Sequence, residues 1–234
     1  MSTARSTGPT LPTSNVTQDY LKAIYSAVEW GGPAMSVSAL ATRMGVSAST
    51  ASETVRRLAD EGLVHHERYG GISLTERGRE AALKMVRRHR LIETLLVEHL
   101  GYEWDEVHDE AEVLEHAVSD LLIERVDKLL GHPVRDPHGD PIPSIDGEVT
   151  LPPTRPLSET PAGEGGRVVR ISDAEPQVLR HLADVGVRLD AEVTVVETRP
   201  YVGTTLFTVT QPGEEQGQEV ELGDPAVAAV WVTR

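Results

Sequence analysis

Between residues 133 and 166 the chain holds much of its proline and glycine and almost no hydrophobic periodicity. That interval separates two stretches that repeat differently. Ahead of it, apolar residues recur three and four apart, the period of a helix packed on one face. Behind it they alternate, the period of a strand. A chain patterned this way folds into neither a single bundle nor a single sheet. The expectation is a mainly α N-terminal part followed by a small β-barrel, with the proline- and glycine-rich interval as loop and linker.

In the first part, residues 19–29 place Tyr20, Leu21, Ile24, Tyr25 and Val28 at helical spacing, and Gly31-Gly32-Pro33 ends the run. Two short helical patterns follow, 38–44 and 49–60, separated by Gly45-Val46-Ser47. Gly62-Leu63-Val64 and Ile72-Ser73-Leu74 read as strands flanking a polar hairpin around Tyr69-Gly70-Gly71. Together these make a helix-turn-helix followed by a wing. Long helices are expected over 75–100 and 104–130, the second with an apolar stripe of Val107, Ala111, Leu114, Val118, Leu121 and Leu122, stopped by Gly131-His132-Pro133. Behind the linker, strands are expected over 167–171, 191–197, 205–210, 220–222 and 229–232, with one helix near 176–185.

The chain has no cysteine, which excludes a disulfide scaffold and any thiolate metal site. Apolar residues make up 39%, with a single Phe, so the core is built from Leu, Val, Ile and Ala. The start of the chain has no apolar signal core and no long apolar run follows, so the protein is expected to be soluble and cytoplasmic, with no membrane partner. The net charge of −15 is unevenly placed: residues 1–94 carry 12 Lys/Arg against 9 Asp/Glu, the remainder 10 against 28. A mildly basic front end is compatible with DNA, and the carboxylate-rich remainder with metal.

The helix-turn-helix has the residues its geometry needs: small Ala41 where the helices cross, Gly45 in the turn, and Leu40, Val46, Val55 and Leu58 as anchors. The second helix opens with short hydroxyl side chains, which bond phosphates and approach base edges in a major groove. The DNA-contacting set read here is Ser38, Ser47, Ser49, Thr50, Glu53 and Arg57, with Arg56 and Arg68 as further phosphate contacts. The alternative is a three-helix core with a hairpin and no DNA role.

A second pattern carries metal-ligand chemistry. His108, Glu112, Glu115 and His116 fall at i, i+4, i+7 and i+8, along one helical face, and His89 and Glu93 stand at i and i+4 on the preceding helix. Two neighbouring helices so arranged aim three carboxylates and three imidazoles into one region; the alternative is an ordinary solvated polar face. Oxygen and imidazole donors without thiolate suit Mn(II) or Fe(II), while Zn(II) and other divalent metals bind such sets in vitro. His65, His66, His99, His132, His138 and His181 read as wing, surface or loop residues. His138 sits in Asp136-Pro137-His138-Gly139-Asp140, a turn-like run that could bind a cation, though turn chemistry alone explains it. Trp30, Trp104 and Trp231 read as packing.

These residues resemble the diphtheria-toxin-repressor family of iron and manganese regulators, and within it the manganese transport regulators of three-part actinobacterial form. The segments that carry the resemblance are Gln-Asp-Tyr-Leu (18–21), Val-Ser-Ala-Ser-Thr-Ala-Ser-Glu (46–53), Arg-Arg-His-Arg-Leu (87–91), Val-His-Asp-Glu-Ala-Glu-Val-Leu-Glu-His (107–116) and Asp-Pro-His-Gly-Asp-Pro-Ile-Pro (136–143). The resemblance implies a primary, activating site of Asp19, Glu112, Glu115 and His116. It also implies an ancillary site of His89, Glu93 and His108, completed from the last domain by Asp173, with Glu175 in reserve. Iron-type members place Met and Cys where this chain has Asp19 and Glu112, which favours Mn(II) over Fe(II). Lys22 stands where two-domain manganese regulators carry a second carboxylate, which points to two separated mononuclear sites.

The domains this implies are a disordered 1–15, a winged helix over 16–80, a helical metal-binding and dimerisation domain over 81–141, a linker over 142–165, and an SH3-like domain over 166–234, akin to one in a ferrous-iron-transport accessory protein. The function implied is that of a homodimeric repressor that binds palindromic operators of metal-homeostasis genes on double-stranded DNA when Mn(II) is bound, with no small organic substrate. Three other readings stand beside it: an Fe(II)-dependent repressor of the same family, a winged-helix regulator indifferent to metal, and a ferritin-like dimetal enzyme. The last needs paired Glu-x-x-His sets from four helices, and only two helices here carry ligands.

Overall fold

The computed structural model describes residues 14–66 and 70–234. The expected disordered start, up to residue 13, and Arg68 and Tyr69 of the wing lie outside them. The chain forms two compact units, one running to His89 and including Pro143–Glu148, the other made of Arg90–Ile142 and Val149–Arg234.

In the first unit, α1 (Asn15–Glu29) is followed by α2 (Val37–Arg43) and α3 (Ala48–Asp60). Each of the latter two begins on a serine whose hydroxyl accepts a backbone N–H: Ser36 from Ala39 at 3.2 Å and Ser47 from Thr50 at 3.1 Å, satisfying donors that a helix start leaves open. Gly45 makes the turn at φ 63°, a conformation that costs a side chain-bearing residue. Leu40, Ala51, Val55 and Leu58 are fully buried, as are Leu21, Ile24 and Ile72. Val46, expected as a further anchor, is exposed instead: its amide is used to close the turn on the Ala41 carbonyl, and its side chain faces outward. The wing is the antiparallel pair β1 (Val64–His66) and β2 (Ile72–Leu74). α4 (Glu76–Leu100) follows directly; at Gly78 a Cβ would run into the Leu63 carbonyl, so this residue sets how closely α4 approaches the wing.

In the second unit, the last part of α4 packs with α5 (Val107–Ala117) and α6 (Asp120–Leu129) around Leu91, Leu96, Val107, Ala111, Ile123 and Val126. The single helix expected over 104–130 is therefore two, beginning at Val107. Val118 turns extended, and Ser119 (ψ 158°) caps α6 by accepting the Leu122 amide. The apolar stripe continues across this break, which is why periodicity alone hides it; Ser119-Asp120 is the capping signal.

The rest of this unit is a six-stranded antiparallel sheet of β3 (Thr154–Pro156), β4 (Gly165–Ile171), β5 (Glu192–Arg199), β6 (Thr204–Thr210), β7 (Gln218–Gly223) and β8 (Val230–Thr233), in the order β3-β8-β4-β5-β6-β7. The expected SH3-like fold is present, but the hydrogen-bonded ladder among the described residues runs from β3 to β7 without joining its ends, so the sheet is not a closed barrel. α7 (Pro176–Asp184) links β4 to β5, and a short α8 (Asp224–Ala228), not anticipated from the sequence, links β7 to β8. The core is Phe207 among Val168, Ile171, Leu179, Leu182, Val193 and Val209. Two features fall inside the expected linker: β3, paired with β8, and a 3-10 turn at Leu157–Glu159 whose Leu157 is buried in this core. Three residues are too few to display a period.

Candidate metal centre and nucleic-acid interface

Alternating exposure along α3 leaves one face free. Ala51, Val55 and Leu58 point inward, while Ser47, Ser49, Thr50, Glu53, Arg56 and Arg57 are exposed. Thr50, Glu53, Arg56, Arg57 and Asp60 line an open depression along that face. At the start of α3 the Ser47 hydroxyl stands 2.8 Å from that of Ser49 and 2.9 Å from that of Thr50, a cluster of hydroxyls at a helix N-terminus, where backbone N–H groups favour a phosphate. Ser38, on α2, is exposed and 3.1 Å from the Ser36 hydroxyl. The sequence-derived contact set thus occupies the solvent faces of α2 and α3.

The metal-ligand residues of α4 and α5 gather around His108. Its Nδ1 lies 3.5 Å from Glu93 Oε1 and 3.4 Å from Asp173 Oδ2, and its Nε2 3.6 Å from Glu112 Oε1. Asp173 lies two residues beyond the end of β4, so the last domain delivers a carboxylate to the helix pair; Glu175 is exposed ahead of α7. Glu93 is 1% exposed, and His89, one turn earlier on α4, is also buried. Further along α5, Glu115 is fully buried with His116 Nε2 3.6 Å from its Oε1. Asp19 is half-buried on α1, in the other unit.

One residue set aside as a loop histidine belongs to this cluster. His138 is 1% exposed. Its Nε2 is 2.7 Å from the Trp104 carbonyl, and the two rings stack with centroids 5.8 Å apart. A carbonyl only accepts, so Nε2 carries a proton; once Nδ1 gives up its own, its lone pair is held as in an oriented metal-binding imidazole. That Nδ1 lies 3.9 Å from Glu93 Oε2 and has no hydrogen-bond partner among the described residues. Donor atoms of Glu93, Asp136 and His138 lie within 4.8 Å of one another. His65, His66, His99, His132 and His181 are exposed, as expected.

The electrostatics follow from crowding of carboxylates. His108 is pushed up to about 10 by hydrogen bonding to Asp173 and then Glu93, against the opposing effect of burial. For His138 burial is the largest influence and disfavours the charged form, yet the charges of Asp136, Glu93 and Asp173 together raise it. Burial first, then the charges of Asp140 and Glu93, push Asp136 upward. Such a cluster holds protons while no cation is present, and a divalent cation answers the same excess of negative charge. The donors, carboxylates and imidazoles with one buried ring nitrogen held ready, fit a borderline or hard divalent metal.

Comparison with known proteins matches three family models: an iron dependent repressor N-terminal DNA binding domain over residues 12–72, an iron dependent repressor metal binding and dimerisation domain over 75–144, and a FeoA domain over 155–234. The chain is 35% identical to the iron-dependent repressor IdeR of Mycobacterium tuberculosis, over 86% of this chain and 90% of that protein. It is 32% identical to the diphtheria toxin repressor of Corynebacterium diphtheriae, over 90% and 93%. Among solved structures it resembles a manganese-dependent transcriptional repressor in complex with manganese, at 54% identity and a TM-score of 0.87, covering 93% of this chain and 99% of that one. The repressor ScaR with bound Cd2+ matches at 31% identity and a TM-score of 0.76, covering 93% and 99%.

Proposed function

Because the chain belongs to the iron-dependent repressor family, we propose that Mn(II) is the metal that switches it, and that the Mn(II)-bound homodimer represses metal-homeostasis genes through palindromic operators. The coarser statement stands on the family itself: this is a metal-dependent transcriptional repressor with a DNA-binding domain and a metal-binding and dimerisation domain. Members of the family are repressors and not enzymes, so the dimetal-enzyme reading lapses, and so does a regulator indifferent to metal.

The observation that carries the choice of Mn(II) is the donor set. Every candidate ligand is a carboxylate or an imidazole, and carboxylates stand at Asp19 and Glu112, where iron-type members resembling this chain use softer donors. The 54% identical repressor solved in complex with manganese supports the same choice. Fe(II) is the second reading, favoured by the relatives named as iron-dependent.

In this reading Asp19, Glu112, Glu115 and His116 hold the primary ion, and His89, Glu93, His108 and Asp173 the ancillary one, to which the buried Nδ1 of His138 and the carboxylate of Asp136 are added. Lys22 supports separate mononuclear sites. A bound cation supplies positive charge that lets carboxylates share one site. Asp19 precedes the DNA-reading helices in the chain and α5 follows them, so an ion held by both fixes α1, and metal and DNA binding each strengthen the other. Ser38, Ser47, Ser49, Thr50, Glu53 and Arg57 make the DNA contacts. Exposed Val113, Leu121, Leu122 and Leu129 on α5 and α6 supply the dimer contact, whose two-fold axis requires half-sites about one helical turn apart, roughly 34 Å. No helix among the described residues is long and apolar enough to cross a membrane; the proposed place of action, with its operators, is the cytoplasm.

The deciding experiment is selection of random duplex DNA by the purified chain with Mn(II), with Fe(II) under anaerobic conditions, and with chelator. A palindrome enriched with Mn(II) and not with chelator is the expected result. Enrichment with Fe(II) alone transfers the assignment to iron.

A further inference from the structure

The Asp136–Asp140 turn is buried beyond what turn chemistry requires. Asp136 and Asp140 are each 5% exposed, and Arg90, on α4, is 6%. One Asp136 oxygen accepts the amides of His138 and Asp140, both at 2.9 Å, which fixes the loop that carries His138. Two guanidinium groups then close on the turn, one from α4 and one from β4. From α4, Arg90 donates to the Pro141 carbonyl at 2.6 Å and stands 3.5 Å from Asp136 and 3.8 Å from Asp140. From β4, Arg170 donates to the same Asp140 oxygen at 2.7 Å while its guanidinium lies over the Trp231 ring, 4.2 Å from the centroid. Two guanidiniums facing two carboxyl groups set opposite charges against one another, the pairing under which such burial is tolerated.

The placement of these groups along the chain gives the set its meaning. Arg90 lies three residues before Glu93 on α4, and Arg170 three residues before Asp173. His138 lies inside the turn, and its carbonyl accepts the Ile171 amide at 2.9 Å. Gly139 permits that approach: a Cβ there would run into the Val169 carbonyl. The three segments that bring Glu93, His138 and Asp173 to one place are thus tied to one another through Asp140. An apolar contact would hold a β domain on a helix equally well, but it slides; a guanidinium hydrogen-bonded to a buried carboxylate is directional and holds one arrangement.

We propose that Arg90, Asp140 and Arg170 form a latch that sets the geometry of the ancillary metal site. They are positioning residues that never touch the ion and act by holding Glu93, His138 and Asp173 in register. This rests on the ancillary-site reading above.

The test is Mn(II) titration calorimetry of the full-length chain and of Arg170→Ala and Asp140→Asn, each alone and combined with Asp173→Ala. The wild type is expected to bind two ions per chain. Each latch variant is expected to weaken the ancillary site about 10- to 100-fold, the usual effect of losing an outer partner of a metal ligand, with the primary site unchanged. Because the latch works partly through Asp173, the combined variants are expected to lose less than the product of the separate losses. Asp140→Asn, isosteric with the native side chain, carries the test if Arg170→Ala does not fold. Folded latch variants with wild-type ancillary affinity, or losses that multiply fully with Asp173→Ala, overturn the latch. A wild-type chain that binds a single ion overturns the ancillary site itself, and the latch with it.

Discussion

His108 Nε2 lies 3.6 Å from Glu112 Oε1, while its Nδ1 faces Asp173 at 3.4 Å. One imidazole therefore touches a carboxylate assigned to the primary site with one edge and the ancillary cluster with the other. Replacing His108 by Ala is expected to weaken the ancillary site by more than the loss of about 10- to 100-fold typical of an outer partner. It should also shift the primary-site affinity, because Glu112 loses its neighbour. Two-site calorimetry reads both, and an unchanged primary site would show that the contact carries no coupling.

The same histidine makes metal loading pH-dependent. With its pKa raised to about 10, chiefly by Asp173 and then Glu93, His108 is protonated in the metal-free chain at neutral pH. A basic group raised on folding stabilises fully below its ordinary value, near 6.5, and that contribution is lost as pH climbs through about 10. Without metal, the difference in Tm between wild type and His108→Gln is expected to be largest below pH 6.5 and to shrink towards pH 10. Metal must displace this proton. Calorimetric enthalpies at pH 7 are therefore expected to vary with the ionisation enthalpy of the buffer, and identical enthalpies in all buffers would refute it.

Glu115 has no exposed surface, yet it is a carboxylate. Glu115→Gln keeps its shape and removes its charge. The expected outcome is a folded chain, by circular dichroism, whose DNA binding no longer responds to Mn(II). His116→Ala is expected to behave alike, and a folded variant that still responds would remove these residues from the primary site.

On α3 two contributions separate. Ser47→Ala removes the cap on Thr50 and is expected to cost about 1 kcal/mol of stability, measured by denaturant unfolding, along with operator affinity. Arg57→Ala leaves the cap intact and is expected to weaken binding to all sequences alike, lowering the salt slope by about 1. A change in preferred operator on Arg57→Ala would make it a base reader instead.

Leu121 and Leu122, adjacent on α6, are 58% and 46% exposed, and Val113 on α5 is 69% exposed. Large apolar side chains grouped at a surface mark an interface. Leu121→Glu is expected to give a monomer in sedimentation velocity and to abolish binding to a full palindrome while sparing the fold.

Whatever depends on neighbours along the chain was legible in the sequence. The helix-turn-helix followed from Ala41, Gly45 and the apolar spacing around them, and the pairing of His89 with Glu93 and of His108 with Glu112 from one turn of helix, because α-helical geometry repeats every few residues whatever surrounds it. The strands of the last domain were legible from alternation, and the absence of thiolate from composition. What the period could not show was decided by packing. The break at Ser119 hides beneath a continuous apolar stripe, β3 is too short to alternate, and Val46 turned outward. His138 looked like a loop residue because nothing local distinguishes an exposed turn from one pinned between α4 and β4. Its burial, the arrival of Asp173 beside His108 and the shared hold of Arg90 and Arg170 on Asp140 are contacts between residues 30 to 65 positions apart. Only the closure of the chain on itself brings such residues together, so the ligand pairs on the helices were written locally and the site they complete was settled by the tertiary fold.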